Sequence, residues 1–149
     1  MHDESKDPLM FSMLHLLHRA GQAADELFVQ AMNDSDLTPR QYAVLVALRA
    51  HDGTSQTDIV AATGIDRSTL ADIVRRLVAR GLVARRRSKQ DARAYAVRLT
   101  ASGLAALQAA APAAAKAEER LVKVLSTAKR RELVDALSQV VRSLSASEH

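Results

Sequence analysis

The stretch 56–74 constrains the fold of this 149-residue chain more than any other feature. Apolar residues recur at helical spacing as far as Thr63, and Gly64 then ends the helix in a tight turn. Asp66 stands where an N-cap would open a second helix, which is expected to reach about Arg80. The residues expected to face inward are Ile59, Val60 and Ala62 in the first helix and Leu70, Ile73, Val74 and Leu77 in the second. Two capped helices joined by a short turn form a helix-turn-helix.

Long helices are predicted on both sides of this motif. The pattern of apolar residues places them over 9–32, 39–50, 101 to about 125 and 127 onward. Hydroxyl-bearing residues open three of these helices: Thr38, Thr100 and Ser126.

The period of the apolar pattern changes to two after Gly81. Alternation in 82–88 and again in 94–100 predicts two short strands, which the polar segment 89–93 joins as one hairpin. We therefore expect a single domain over 1–149 that is mainly α with a small β-hairpin wing. This fold class is a winged helix-turn-helix with long N- and C-terminal helices.

Composition excludes several classes of protein. The chain has no cysteine, so it can form no disulfide, thiolate metal site or thiol redox centre. Its acidic start and the lack of a long apolar run predict neither a signal peptide nor a membrane span, so we expect a cytoplasmic protein. The sequence shows no glycine-rich phosphate loop and no histidine paired with a nucleophile, so we expect neither enzyme activity nor a cofactor.

Positive charge is concentrated in the middle of the chain. Residues 64–100 carry ten basic side chains against three acidic ones, a net charge of +7, whereas residues 1–37 carry two against seven, a net charge of −5. Nine of the ten basic residues are arginine, whose planar fork suits phosphates and guanine edges. We therefore expect the segment 64–100 to bind double-stranded DNA.

The exposed side of the second motif helix carries candidate base-reading residues. Small or hydrogen-bonding side chains near its start let the backbone approach base edges, and arginines farther along can reach bases or hold phosphates. The contacts predicted on this helix are Arg67, Ser68, Thr69, Asp72, Arg75 and Arg76.

The hairpin supplies a second set of candidate contacts. Arg93 is the best candidate for the minor groove, where a narrow width concentrates negative potential. Asp91 is expected to orient an arginine, because phosphates repel a carboxylate. The residues expected to follow the phosphates are Arg85, Arg86, Arg87 and Lys89.

Taken in order, these motifs resemble the MarR family of multiple antibiotic resistance regulators. The resemblance rests on Leu37-Thr38-Pro39-Arg40-Gln41-Tyr42, Asp66-Arg67-Ser68-Thr69, Gly81-Leu82-Val83, Asp91-Ala92-Arg93 and Leu99-Thr100-Ala101-Ser102-Gly103. It implies a winged-helix homodimer in which the helices of 1–36 and 101–149 interleave and 37–100 forms the DNA-binding lobe. It also implies a repressor of a pseudo-palindromic operator, released by a small ligand that is often a phenolic or other aromatic acid. Ala92 departs from the family pattern, which often has arginine there.

A dimer also follows from the sequence itself. The terminal helices carry more apolar surface than one small winged-helix lobe can cover. Two-fold symmetry would set the recognition helices about 34–36 Å apart, which matches one turn of DNA.

Candidate effector contacts lie on the first two helices. His15, His18 and Arg19 share one side of the first helix and Arg40 lies near the start of the second, so these groups could face an anionic ligand between helices. For the aromatic carboxylate that the resemblance implies, His15 and Arg19 are the preferred contacts. The alternative is that each is a surface residue or, for a histidine, a satisfied core residue. No third ligand at suitable spacing accompanies the two histidines, so no metal site is expected.

Two further alternatives stay open. A sequence-tolerant architectural DNA-binding protein without an effector would share the basic hairpin, and only base-specific binding separates it from a regulator. Whether a regulator represses or activates depends on where its operator lies relative to the promoter.

Overall fold

Six α-helices and three short strands follow one another along the described residues, which are 7–32, 35–87 and 95–146 of the computed structural model. The helices are α1 (Met13–Ala31), α2 (Pro39–Ala50), α3 (Gln56–Thr63), α4 (Arg67–Ala79), α5 (Ala101–Val122) and α6 (Thr127–Ala146). The strands are β1 (Thr54–Ser55), β2 (Val83–Arg87) and β3 (Tyr95–Leu99). This order confirms the mainly α winged helix-turn-helix.

Side-chain caps explain why the central helices begin where the sequence predicts. At α2, the Thr38 hydroxyl accepts the Gln41 N–H and the Gln41 side chain accepts the Thr38 N–H, both at 3.1 Å. At α3, the Ser55 hydroxyl accepts the Asp58 N–H at 3.1 Å. Gly64 ends α3 with φ of 70°, a left-handed conformation that glycine adopts without a steric penalty. The predicted bounds of α2 and α3 are confirmed.

The first helix begins later than the sequence predicts. A 3-10 turn occupies Pro8–Phe11, and the Ser12 hydroxyl then accepts the His15 N–H at 3.3 Å, which opens α1 at Met13. The predicted start at Leu9 is wrong, because the proline and the serine cap favour a helix start at their own positions over a continuous helix.

A third strand, absent from the sequence prediction, completes the sheet. The strand order is β1-β3-β2 and both pairings are antiparallel, with Thr54 opposite Val97 and Val83 opposite Leu99. The two residues of β1 are too few to show a periodic pattern, so no local signal marks them. The sheet ties the start of α3 to the strand pair β2 and β3, which we call the wing.

One hydrophobic core joins the helix-turn-helix to the sheet. Its largest fully buried side chains come from α2, α3, α4 and β3: Leu45, Leu48, Ile59, Leu70, Leu77, Val44, Val74 and Val97. The inward-facing set predicted for α4 is confirmed, and Ile59 and Val60 of α3 pack in this core as predicted. Ala62 is exposed, so its predicted inward position is wrong. A short helix on the surface of a core covers it with one narrow side only.

The start of α5 packs closely against the entrance to the wing. The Thr100 hydroxyl accepts the Gly103 N–H at 3.0 Å and donates to the Gly81 carbonyl at 2.7 Å. A Cβ atom on Gly103 would lie 2.0 Å from the carbonyl oxygen of Leu82. Only glycine fits this position, so the contact joins α5 to the chain between α4 and β2.

α6 leaves its apolar side chains exposed. None of its described residues is buried, and its large exposed aliphatic residues are Leu133, Val134, Leu137, Val140, Val141 and Leu144. The apolar stripe predicted on the first helix likewise contributes only Phe28 as a buried residue of α1. The apolar sides of both helices therefore lie at the surface of the described chain. None of the described helices is both long and apolar enough to cross a membrane.

Candidate nucleic-acid interface

Asp66 organises the exposed start of α4. Its carboxylate accepts the Thr69 N–H at 2.9 Å, the Thr69 hydroxyl at 2.7 Å and the Ser68 hydroxyl at 3.0 Å. These hydrogen bonds, the Thr69 N–H first among them, lower the pKa of Asp66 to about 2. The hydroxyl hydrogens of Ser68 and Thr69 are therefore directed at the cap, and their oxygens can still accept from base amino groups.

A second carboxylate holds the arginines farther along α4. Asp72 accepts from the Arg75 guanidinium and, at 3.0 Å, from Nε of Arg76. Both arginine side chains remain 69% exposed. The sequence predicts Asp72 as a DNA contact, and these two cations offset the repulsion between its carboxylate and phosphates.

The wing exposes three successive arginines beside an aromatic ring. Arg85, Arg86 and Arg87 are exposed along β2. The Arg85 guanidinium lies over the ring of Tyr95 on β3, 5.9 Å from its centroid, and this cation–π contact directs a long side chain. The other predicted wing residues, Lys89, Asp91 and Arg93, lie outside the described residues.

A cleft of about 250 Å³ joins the start of α4 to the wing. It is lined by Ser55, Gln56, Thr57, Val60, Arg67, Leu70 and Tyr95. Arg67 of α4 and Tyr95 of β3 therefore face the same opening, and Arg85 lies over that tyrosine. The cleft thus places the predicted helix contact Arg67 beside the ring over which the predicted wing contact Arg85 lies, and polar groups of β1 and α3 complete its lining.

A second cleft, of about 350 Å³, lies between α1, α2 and α4. It is lined by Asp25, Thr38, Pro39, Arg40, Gln41, Thr69, Asp72, Ile73 and Arg76. Of the predicted effector contacts, this lining contains Arg40 and none of the three on α1. His15 is half-buried, whereas His18 and Arg19 are exposed. Arg40 therefore lines this cleft, and the three predicted contacts on α1 do not.

Two residues that line these clefts are not predicted as site residues from the sequence. Tyr95 was assigned only to the strand pattern, although an aromatic residue on a strand paired with an arginine-rich strand is a usable signal for cross-strand contact. Asp25 carries no local signal, because its cleft forms from elements that are distant in the sequence.

Known proteins share this architecture over most of the chain. The model of the MarR family matches residues 35–94. The HTH-type transcriptional repressor NicR of Pseudomonas putida is 36% identical over 129 residues, which are 87% of this chain and 82% of that protein. The PcaV transcriptional regulator of Streptomyces coelicolor, solved with its natural ligand, gives a TM-score of 0.86 at 31% identity and covers 93% of this chain and 97% of its own. The chain belongs to the MarR family.

A second similar structure is of a regulator that responds to a small molecule. BpsR of Bordetella bronchiseptica, whose DNA binding is regulated by 6-hydroxynicotinic acid, matches with a TM-score of 0.79 at 35% identity. The match covers 87% of this chain and 93% of BpsR.

The family match and the similar proteins make this chain a winged-helix transcriptional regulator. It belongs to a family of DNA-binding regulators rather than enzymes.

Proposed function

We propose that this MarR-family chain is a homodimeric, cytoplasmic repressor that binds a pseudo-palindromic operator and is released by a small aromatic carboxylate. In this proposal 37–100 forms the DNA-binding lobe, and 1–36 and 101–149 supply the dimerisation helices. One observation carries the DNA-binding part, namely that Arg67 at the start of α4 and Tyr95 on the wing line one cleft.

Base reading is assigned to α4 and phosphate contact to the wing. The first turn of α4 presents Arg67 together with the hydroxyl oxygens of Ser68 and Thr69, which suits hydrogen bonding to base edges. Arg75 and Arg76 extend this set along α4. The exposed Arg85, Arg86 and Arg87, with Lys89, would add salt-dependent contacts to the backbone. Arg93 would enter the minor groove, and Asp91 would orient an arginine of the wing.

The test compares binding to the chain's own upstream intergenic duplex with binding to a scrambled duplex. Arg67→Ala is expected to cost roughly 1–3 kcal/mol on the native duplex and little on the scrambled one. Arg86→Ala is expected to weaken binding to both and to reduce the salt slope by about one. Arg131→Ala on α6 is the matched control and should change neither.

Equal affinity of the wild-type protein for the two duplexes would contradict a sequence-specific repressor. It would instead favour an architectural protein that reads the backbone.

The dimer is supported by the helices that bury little within one chain. All of the described residues of α6 are at least partly exposed, and leucines and valines line it. A second copy of the chain offers the matching apolar surface, and a two-fold axis would align two copies of α4 with successive major grooves.

The cleft between α1, α2 and α4 supports an anionic aromatic effector. Arg40 and Arg76 supply guanidinium groups for a carboxylate, and Pro39 and Ile73 supply apolar wall. Asp72 and Arg76 belong both to this cleft and to the predicted DNA contacts. A ligand that draws Arg76 away from Asp72 would therefore change the α4 surface that DNA meets. The control of BpsR by 6-hydroxynicotinic acid supports this class of ligand.

Calorimetry with 6-hydroxynicotinic acid tests the effector assignment. We expect Arg40→Ala to weaken binding at least tenfold if the α2 cleft holds the carboxylate, since a charge-assisted hydrogen bond is lost. His15→Ala, His18→Ala and Arg19→Ala test the alternative contacts on α1.

Thermodynamic linkage between ligand and operator tests whether the ligand releases the protein from DNA. If the ligand lowers operator affinity by some factor, saturating operator must lower ligand affinity by the same factor. Ligand affinity that is unchanged by the operator would contradict the proposed release.

A further inference from the structure

Asp52 and Arg98 form a two-pronged ion pair although they lie 46 residues apart. Nε of Arg98 donates to Oδ1 of Asp52 at 3.2 Å, and Nη2 donates to Oδ2 at 2.8 Å. Two parallel hydrogen bonds between a planar guanidinium and a carboxylate fix orientation as well as distance. This geometry makes the pair a mechanical tie between its two backbone segments.

The tie connects the wing to the helix-turn-helix. Asp52 lies in the turn between α2 and β1, and Arg98 lies on β3. β1 contributes only Thr54 and Ser55 to the ladder with β3, and Ser55 also caps α3. Val97 anchors β3 in the hydrophobic core, the short ladder adds little to that anchor, and the ion pair adds a side-chain link on the exposed side of the strand.

Both partners are charged and open to water. The side chain of Arg98 is 48% exposed and that of Asp52 is 61% exposed. Their hydrogen bond lowers the pKa of Asp52 and raises the pKa of Arg98, so both stay ionised at neutral pH. Exposed ion pairs add little to overall stability, and the consequence of this pair therefore lies in the geometry that it fixes.

β3 carries this tie at one end and the interface at the other. Tyr95, three residues before Arg98, lines the cleft with Arg67 and lies under Arg85. At about 3.4 Å per residue, three residues of strand separate the two positions by roughly 10 Å. A rotation of β3 at Arg98 would displace Tyr95 and Arg85 relative to α4.

We propose that Asp52 and Arg98 are positioning residues that align the wing with α4 and so set operator discrimination, and that Arg98 is not itself a phosphate contact. This inference rests on the proposed function, because it assumes that α4 and the wing bind one operator together.

For Asp52→Asn, the loss of a negative charge and the loss of the tie predict opposite changes in affinity for the native duplex. This change removes a negative charge close to DNA, so electrostatics alone would tighten binding to every duplex. Loss of the tie should instead weaken binding to the native duplex about fivefold to tenfold, because a misaligned wing still meets phosphates but no longer holds α4 in register with the base edges. Binding to the scrambled duplex should stay the same or become tighter.

Three further variants distinguish a positioning role of the ion pair from a direct effect of charge on DNA binding. Arg98→Gln should weaken native-duplex binding as Asp52→Asn does, with the salt slope unchanged. The double reversal Asp52→Arg with Arg98→Asp restores an ion pair and should recover at least half of the lost discrimination, measured as the logarithm of the affinity ratio. Asp58→Asn removes the same charge from nearby α3, where the carboxylate accepts from the Thr54 hydroxyl at 3.3 Å, and is the matched control. Melting temperatures of all variants check that each one folds.

Three results decide the matter. Weaker native-duplex binding for both single variants, with recovery in the double reversal, supports the positioning role. Tighter binding of Asp52→Asn to both duplexes, or an Arg98→Gln salt slope lower by about one, would overturn it and make Arg98 a phosphate contact. A wild-type protein that does not prefer the native duplex would contradict the proposed function and the discrimination role with it.

Discussion

At the scale of a single residue, the ionisation of Asp66 makes the stability of the fold depend on pH. Its pKa lies at about 2 in the folded chain against an ordinary value of 3.8. A carboxyl whose pKa is lowered by folding stabilises the fold above its ordinary pKa, and that contribution disappears as the pH falls through the folded value. The affected range therefore runs from 3.8 down to about 2.

Asp66→Asn tests this assignment, because asparagine keeps an acceptor for the cap and loses the titrating group. We expect the wild-type protein to exceed the variant in unfolding free energy at neutral pH and this difference to vanish across the affected range. Urea unfolding of both proteins at a series of pH values measures it. A difference that does not change with pH would contradict the role of the ionised cap.

Gly103 is the other residue with a sharp structural requirement. Alanine normally stabilises a helix interior by about 1 kcal/mol relative to glycine. At Gly103 the added methyl group would meet the backbone of Leu82, so we expect Gly103→Ala to destabilise the protein by roughly 1–3 kcal/mol. Gly21→Ala in α1 is the matched control, because its added methyl group would meet nothing within 4 Å in the described residues beyond its own stretch of helix. Denaturant midpoints should move in opposite directions for the two variants.

At the scale of elements, one arginine fixes the corner between α5 and α6. Arg130 donates to both carboxylate oxygens of Glu119, at 2.7 and 3.1 Å, and to the Leu125 carbonyl at 3.0 Å. We expect Arg130→Ala to speed amide hydrogen exchange across residues 123–127 by up to about fivefold, which corresponds to about 1 kcal/mol of local opening. Arg131→Ala is the control on the same helix. Equal protection in wild type and Arg130→Ala would show that the corner is held by other contacts.

Elements were predictable from the sequence where their signals are local. Thr38, Asp66 and the spacing of apolar residues mark α2, α3 and α4, because a cap and a helical stripe each act within a few neighbouring residues. The strand β1 was not predictable, since two residues have no period and their partner is remote in the sequence. The apolar content of the first helix was predicted, but its start was not, because the apolar stripe runs on to Leu9, past the Ser12 cap that opens the helix, and so gives a second, conflicting local signal.

The candidate site likewise combines features that the sequence predicts with features that it does not. Exposure of Arg67, Arg75 and Arg76 follows from the helical period of α4. The contact of Arg85 with Tyr95 and the pairing of Asp52 with Arg98 depend on strand register and chain folding, which no local pattern encodes.

At the scale of the whole molecule, α6 is expected to hold two chains together. Leu137→Glu and Val141→Glu would each bury a charge in the apolar contact, so we expect both to shift the protein toward monomer. Operator affinity should fall with them, because one chain occupies only half of a palindrome. Gln139→Glu makes the same charge change on α6 as a control. Sedimentation equilibrium measures the mass, and a wild-type protein that is monomeric at the concentrations of binding would contradict this assembly.

The tyrosine beneath Arg85 gives the protein an optical property of its own. The chain has two tyrosines and no tryptophan, so its ultraviolet emission comes from Tyr42 and Tyr95 alone. Tyr42 packs against Phe28, with ring centroids 5.4 Å apart, whereas Tyr95 is 46% exposed in the cleft beside α4. DNA bound across that cleft should quench the emission of Tyr95 and leave that of Tyr42 as a constant background. Tyr95→Phe keeps a ring under Arg85 and should abolish the response, so that occupancy of the interface can be measured without an attached dye.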